Sequence, residues 1–484
     1  MKKSILWFLV LIICISMMVV FSLSSCKKEA AKEAAAEEPA VSEEEPETGE
    51  TAKAETVKIA VPKVLGWVTT DALLPAVSER LAEKNIEVVP IESDNMTLRD
   101  KQMMDAASGT ADFDVYIAWE ALMPLMNEYV EPLDDYLAEA GVSFDNYYDS
   151  VVEQISYGGN ICWVPIHVNC QIGYARTDLF SDPEEQANFK AEYGYDLPAP
   201  DENGVVDFET KDQFIDVAKF FTRAENDMWG YAPAGKWDHG CCVFEEILLR
   251  SGLEYFDAEG HSLWGPAHPE NQAAVEDVVK WMQDLVLVHK VVSPGTTGME
   301  MTEVNQMFKE GKAAMSFTWN VDFWGENTKP EVMAAWNNTK PSSWAIDFVN
   351  TSPDNKGLMS IWCYALNKNS KNKEAAIEFL LAVSDPELRK EVHSTVGLPC
   401  GNGDAGLTDW LVENNYAPGA IVDSIKSVGS LWPISKTPFE ETDSVRDVCR
   451  ENMEKVLSGT LTPSDFVKVT GERIEAIMQE AGYF

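Results

Sequence analysis

Tryptophans lying between predicted strands and loops carry the most distinctive chemistry in this chain. Trp67, Trp119, Trp163, Trp237, Trp319, Trp324, Trp362 and Trp432 all fall at strand ends or in loops of the sequence pattern. Indole planes suit flat, C–H-rich faces such as those of a sugar ring. Carboxylates, amides and imidazoles suit its hydroxyl rim. Hydroxyls taken out of water need matched partners, because an unpaired buried polar group is costly. The plainer role of any one Trp is core packing, and Trp281, in the middle of a predicted helix, is read as core.

Covalent, metal and cofactor chemistry leave weaker traces. The sequence has no His-Glu-x-x-His, no Gly-x-Ser-x-Gly and no phosphate loop ending in Gly-Lys-Ser/Thr. Gly401-Asn402-Gly403-Asp404-Ala405-Gly406 matches Gly-x-Gly-x-x-Gly, but it follows a Pro-Cys loop instead of a strand and is read as a loop. His239-Gly240-Cys241-Cys242 lacks the second spaced pair of a structural zinc site. No metal, cofactor or catalytic residue is assigned. With 80 acidic residues, a carboxylate pair of glycosidase spacing stays open. A tethered glycoside hydrolase is therefore one alternative. A binding lipoprotein for a metal complex or a peptide is another.

The elements that must position these residues follow from periodicity. Val57 to Val61 reads as a strand, and Thr70 or Asp71 as the cap of a helix running to about Lys84. Leu73, Leu74, Val77 and Leu81 share one face of that helix. Ile86 to Ile91 is a strand, Met96 to Ser108 a helix stopped by Gly109, and Phe113 to Ala118 a third strand. This β-α-β-α-β opening predicts a mostly parallel sheet covered by helices. Trp119 and Glu120 follow its third strand, at the edge where open α/β sheets bind ligands.

Later, Val164-Pro165 and Ile172 to Ala175 read as strand pieces around an irregular joint. Helices are expected over Asp212 to Arg223, Val243 to Ser251, Asn271 to Val288, Glu303 to Glu310, Lys373 to Val383 and Pro463 to Ala481. Another is expected to start at Asp385-Pro386. Ala313 to Phe317 and Ile361 to Leu366 read as strands.

The N-terminus sets the compartment. Lys2 and Lys3 precede an apolar run from Ile5 to Leu23, then Leu23-Ser24-Ser25-Cys26. A basic start, an apolar stretch and small residues describe a secretory signal. A small pair before Cys resembles the lipobox of bacterial lipoproteins, which implies cleavage before Cys26 and lipid on its sulfur. The alternative is an uncleaved transmembrane anchor. Residues 26–56 are rich in Ala, Glu, Lys, Pro, Ser and Thr and read as an acidic, disordered linker. About 430 residues remain, which suits two domains. A net charge of −42 argues against nucleic acid or anionic lipid head groups as partners. Seven cysteines follow Cys26, so they cannot all pair within one chain.

Several segments resemble the extracellular solute-binding proteins of ABC sugar importers, the family that includes maltose-binding protein. They include Ser108-Gly109-Thr110-Ala111-Asp112-Phe113-Asp114-Val115 and Pro132-Leu133-Asp134-Asp135. Val164-Pro165 through Tyr174-Ala175-Arg176-Thr177-Asp178-Leu179-Phe180 resembles the family's crossover. Tyr193-Gly194-Tyr195-Asp196-Leu197-Pro198, Phe308 through Met315, Asn369 through Ala376, and Gly397-Leu398-Pro399 follow in the family's order and span nearly all of the mature chain. Two departures bear on the ligand. Ser360-Ile361 precede Trp362 where paired glycines are usual, and Cys400-Gly401-Asn402 follows the Gly-Leu-Pro turn where a basic residue is usual.

The resemblance implies an α/β fold with two discontinuous lobes joined by a hinge, the type II periplasmic-binding-protein fold. It implies an N-terminal lobe of 57–168 and 345–382, and a C-terminal lobe of 169–344 and 383–484. Crossings are expected near Val168, Trp344 and Val383. The cleft would hold a neutral sugar or polyol. By position in the family pattern, Trp67, Trp119, Trp237, Trp319 and Trp362 are the stacking candidates. Glu120, His167, Asn169, Asp238, His239, Asn320 and Asp322 are the polar ones. His167 and His239 equally suit structural roles, and Glu120 and Asp322 also suit a solvent-facing position or the cap of the turn that follows each. The implied partners are the ligand, the permease subunits of an ABC transporter and, through lipidated Cys26, a membrane. The protein is expected to be monomeric, extracytoplasmic and not an enzyme.

Overall fold

A computed structural model describes residues 56–64, 68–200, 206, 208–251, 253–319, 340–341, 359–396, 401–414 and 439–484. The expected signal peptide, Cys26 and nearly all of the linker lie outside them. The chain opens β-α-β-α-β, as expected. β1 (Val57–Val64) pairs in parallel with β2 (Ile86–Ser93). Between them α1 (Val68–Ala82) buries Leu73, Leu74, Val77 and Leu81. The helix begins ahead of Thr70 and Asp71, which therefore stand in its first turn and not at its cap. Asp71 instead pairs with Lys63 at 2.7 Å. α2 (Asn95–Ser108) is capped by Asp94, whose carboxylate accepts from the Thr97 N–H at 3.0 Å. Gly109 ends it at φ +68°, a conformation that costs glycine little. The fully buried β3 (Val115–Trp119) follows.

β4 (Val164–Ala175) differs from its expectation. The two predicted pieces form one strand of 12 residues. Its irregularity is a register shift beside Pro165, which has no N–H to give to a ladder. Past β4 the chain forms α3 (Lys211–Phe221), β5 (Trp229–Pro233), α4 (Trp237–Arg250), α5 (Gln272–Leu287), α6 (Met301–Lys309), β6 (Ala313–Trp319) and β7 (Met359–Leu366). After these come α7 (Lys373–Ser384), α8 (Pro386–Val396), α9 (Ala405–Glu413), α10 (Thr442–Leu457) and α11 (Pro463–Glu480).

The main sheet runs in the order β3-β7-β4-β6-β5. β7 is antiparallel to both β3 and β4, while β5 and β6 run parallel. β4 pairs with β7 through Val164–Cys170 and with β6 through Gln171–Ala175. One strand thus serves two ladders in succession.

Buried apolar side chains fall into two large clusters. The first gathers side chains of β1, α1, β3, β7 and α7 with β4 as far as Tyr174, and also takes in Ala232 of β5, Val304 and Phe308 of α6 and Ala313 of β6. The second begins at Ala175 and gathers α3, α4, α5, α10 and α11 with Met315, Phe317 and Trp319 of β6. Residues 383–484, expected together in one lobe, divide between the two. α8 packs on α1 and places Leu388 and Val392 in the first cluster, and α9 packs on α8. The chain joins the second cluster at α10. The expected crossing near Trp344 lies outside the described residues. An ion pair links the clusters: Arg99 of α2 reaches Asp443 of α10 at 2.5 Å, and Asp443 also accepts from Arg450 at 3.2 Å.

The five cysteines with described side chains, Cys162, Cys241, Cys242, Cys363 and Cys449, are buried thiols. Cys241 donates to Glu245 Oε1 at 3.5 Å, and Cys242 accepts from Arg446 Nη2 at 3.3 Å. The Cys-Cys pair after His239 is thus built into the second core. Among the described residues no three metal-capable side chains gather.

Candidate functional site

Register brings several of the expected residues together. Trp362 of β7 lies directly opposite Trp119 of β3 on one side and His167 of β4 on the other. Directly opposed residues share a face of the sheet, and so do alternate residues along a strand. Trp119, Trp362 and His167 therefore form one row across three strands, and Gln171 continues it along β4. Gln171 in turn lies opposite Trp319 of β6. Trp119 and Trp319 are each the last residue of their strand, and β6 runs parallel to β5. The row thus joins the carboxyl edges of strands from both clusters. The Trp119 and Trp362 rings sit 5.3 Å apart with planes tilted by 41°. Trp119 and Trp319 are buried, and Trp362 is half-buried.

Glu120 sits just past β3, almost wholly buried at 1% exposure. Its Oε2 accepts from the Ser360 hydroxyl at 2.7 Å and from the Ile361 N–H at 3.0 Å. The carboxylate therefore ties the loop after β3 to β7, one and two residues before Trp362. Burial pushes its pKa up from 4.5 to about 7, against the pull of the Ser360 bond and the Arg446 guanidinium. Neither the turn-cap role nor solvent exposure describes this carboxylate.

His167 is fully buried. Burial, with Arg389 nearby, pulls its pKa down to about 3, so the ring is neutral. Arg389 of α8 donates to the Ile166 carbonyl at 2.7 Å and to the Pro165 carbonyl at 2.5 Å. His393, one turn further along α8, is also fully buried, and neither ring nitrogen finds a hydrogen-bond partner among the described residues. Burial drives its pKa well below the usual imidazole value, and Arg389 and His167 add to this. These α8 groups pack against β4 and were not foreseen, since a buried Arg and His are invisible to hydropathy.

Asn169 lies opposite Ser360 in register. Trp237, Asp238 and His239 open α4, which begins before the expected Val243 and holds them in its first turn instead of in a loop. Gly240, in the same turn, fits against Gly235: an added Cβ would stand 2.9 Å from the Gly235 backbone. The side chains of Asn169, Trp237, Asp238 and His239, and residues Trp67, Asn320 and Asp322, lie outside what the structure describes. The Gly401–Gly406 motif is a loop running into α9, where Asp404 caps the helix through the Gly406 and Leu407 N–H groups. Trp281 packs on Phe214 in the second core, as its mid-helix position predicts.

The bacterial extracellular solute-binding protein family matches residues 66–389, more than half of the chain, and the chain belongs to that family. Its members bind solutes outside the cytoplasm. No curated protein sequence matches the chain. Among solved structures, it is similar to maltose-bound MalE3 of T. maritima, at 18% identity and a TM-score of 0.69, over 87% of this chain and 100% of the other. An ABC transporter solute-binding protein from Agrobacterium vitis S4 with bound D-mannitol matches at 19% identity and 0.70, over 88% and 99%. One from Thermotoga lettingae with bound alpha-D-tagatose matches at 15% and 0.67, over 88% and 100%. At these identities the likeness is one of fold: the two-lobed periplasmic-binding-protein architecture with discontinuous lobes.

Proposed function

We propose that this protein captures a neutral sugar or polyol between its lobes and presents it to the permease of an ABC transporter. The observation that carries this reading is the row Trp119–Trp362–His167, continued by Gln171 to Trp319. Two tryptophans, two polar side chains and a third tryptophan line up there along an edge shared by both clusters. The bound maltose, D-mannitol and D-tagatose of the similar structures support the ligand class.

In this reading Trp119, Trp319 and Trp362 stack on the ligand, and Glu120 acts indirectly by holding Trp362 in place. His167, Asn169, Trp237, Asp238 and His239, with Trp67, Asn320 and Asp322, remain proposed contacts. The lobes close about β4, and the ligand stabilises the closed form by its differential affinity for it. The first lobe would comprise 57–174 and 359–414, and the second 175–319 and 439–484. Lipid on Cys26 would tether the monomer to a membrane through the 26–56 linker. No bond of the ligand is broken.

Thermal melting of the purified protein with maltose, D-mannitol, D-tagatose and ribitol at millimolar concentration tests the reading. Ligand at 100 times its Kd stabilises by about 2.7 kcal/mol, so at least one member of this class should raise the melting temperature by several degrees. A flat response to neutral sugars and polyols, with a clear response to peptides or metal complexes, rejects it.

A further inference from the structure

We propose that Gln171 determines specificity by accepting a hydrogen bond from one hydroxyl of the bound solute through its side-chain carbonyl. The proposal deepens the sugar-or-polyol reading and rests on it.

Gln171 is 2% exposed, yet its Oε1 is buried with no hydrogen-bond partner among the described residues. A buried amide oxygen left unpaired is costly, and methionine would fill the same length without that cost. Its position suggests what it accepts from. Gln171 is the first residue of β4 to leave the β7 ladder and join the β6 ladder, directly opposite Trp319. Four residues earlier on the same face stands His167, opposite Trp362. The orphan acceptor therefore lies along the aromatic row, where β4 passes from the β7 ladder to the β6 ladder. A carbonyl oxygen needs a donor, and a neutral polyhydroxylated ligand carries several. A site that pairs with a substrate hydroxyl rejects the analogue lacking it, because its own polar group is then left unpaired.

The test uses the full chain and whichever of maltose, D-mannitol, D-tagatose and ribitol binds it. Binding of that probe and of each of its monodeoxy analogues is measured by calorimetry for the parent protein, Gln171→Met, Gln171→Leu and Trp119→Ala. Melting temperatures without ligand are recorded for all four. Gln171→Met should bind the probe about tenfold more weakly while melting at the same temperature or a few degrees higher. The parent should disfavour one deoxy analogue about tenfold, and Gln171→Met should lose that discrimination. Affinity within twofold of the parent overturns the proposal. So does a loss of affinity in step with a lower melting temperature in both Gln171 variants, because that describes a structural role. If none of the four probes binds the parent, the sugar-or-polyol reading fails first. If Trp119→Ala weakens binding while Gln171→Met does not, only the role of Gln171 fails.

Discussion

Glu120 offers the most quantitative prediction. Its carboxyl is buried, accepts from Ser360 and Ile361, and has its pKa raised from 4.5 to about 7. An acid whose folded pKa lies above its unfolded value binds more protons in the native state between the two. Stability must therefore fall as pH rises from about 4.5 to about 7, the reverse of an ordinary ion-paired carboxylate. At about 1.36 kcal/mol per unit, the shift corresponds to about 3 kcal/mol lost between pH 4 and pH 8. Glu120→Gln keeps an acceptor oxygen for Ser360 and Ile361 but cannot ionise. Urea unfolding of both proteins at pH 5, 6, 7 and 8 isolates the effect, since every other titrating group is common to the pair. The variant should gain on the parent as pH rises, reaching an advantage of about 3 kcal/mol at pH 8 and about 1 kcal/mol or less at pH 5. A difference that does not change with pH would refute the reasoning, for it would mean that the carboxyl titrates where a solvated one does.

Other expectations follow from the same geometry. Trp362→Ala or Trp119→Ala should weaken solute binding by more than about tenfold with folding intact, measured by calorimetry and far-ultraviolet circular dichroism. Unchanged affinity in both would remove the aromatic pair from the site. His167 and His393 are held neutral, so the unfolded chain takes up their protons first and stability falls as pH drops below about 6.5. His393→Leu should flatten that acid limb in urea titrations, and an unaltered limb would count against the assignment. Asp443→Asn should cost about 2–4 kcal/mol and Arg99→Gln about 1 kcal/mol or less, because Asp443 serves both Arg99 and the buried Arg450. Equal costs would show that the Arg450 contact contributes nothing.

The opening of the fold was readable because α1 and its flanking strands carry clean periodicities, and Asp94 and Gly109 punctuate α2 with ordinary capping chemistry. Trp119 could be placed at a carboxyl edge for the same reason. β4 was harder. Pro165 argues against a strand, yet Ile166, Val168 and Cys170 alternate with His167, Asn169 and Gln171 in the period of one, and the two ladders show that they belong to a single strand. α8 misled for a related reason. Its start at Asp385-Pro386 was legible, but Leu388 and Val392 share its buried side with Arg389 and His393, so its packing against β4 was not. The early start of α4 was hidden by Gly240, a poor helix former whose place is set by close approach to Gly235. The clamp on Ser360 and Ile361 depends on contacts across 240 residues of chain, which local pattern does not contain.

Mass spectrometry of the protein under native and then denaturing conditions puts the central idea to its most direct trial. Protein taken from cells grown on mixed carbohydrates should carry one small neutral molecule per chain. That molecule should be released on unfolding as an intact sugar or polyol, with the same mass after prolonged incubation. Release of hydrolysed fragments, of a peptide or of a metal complex would contradict the account.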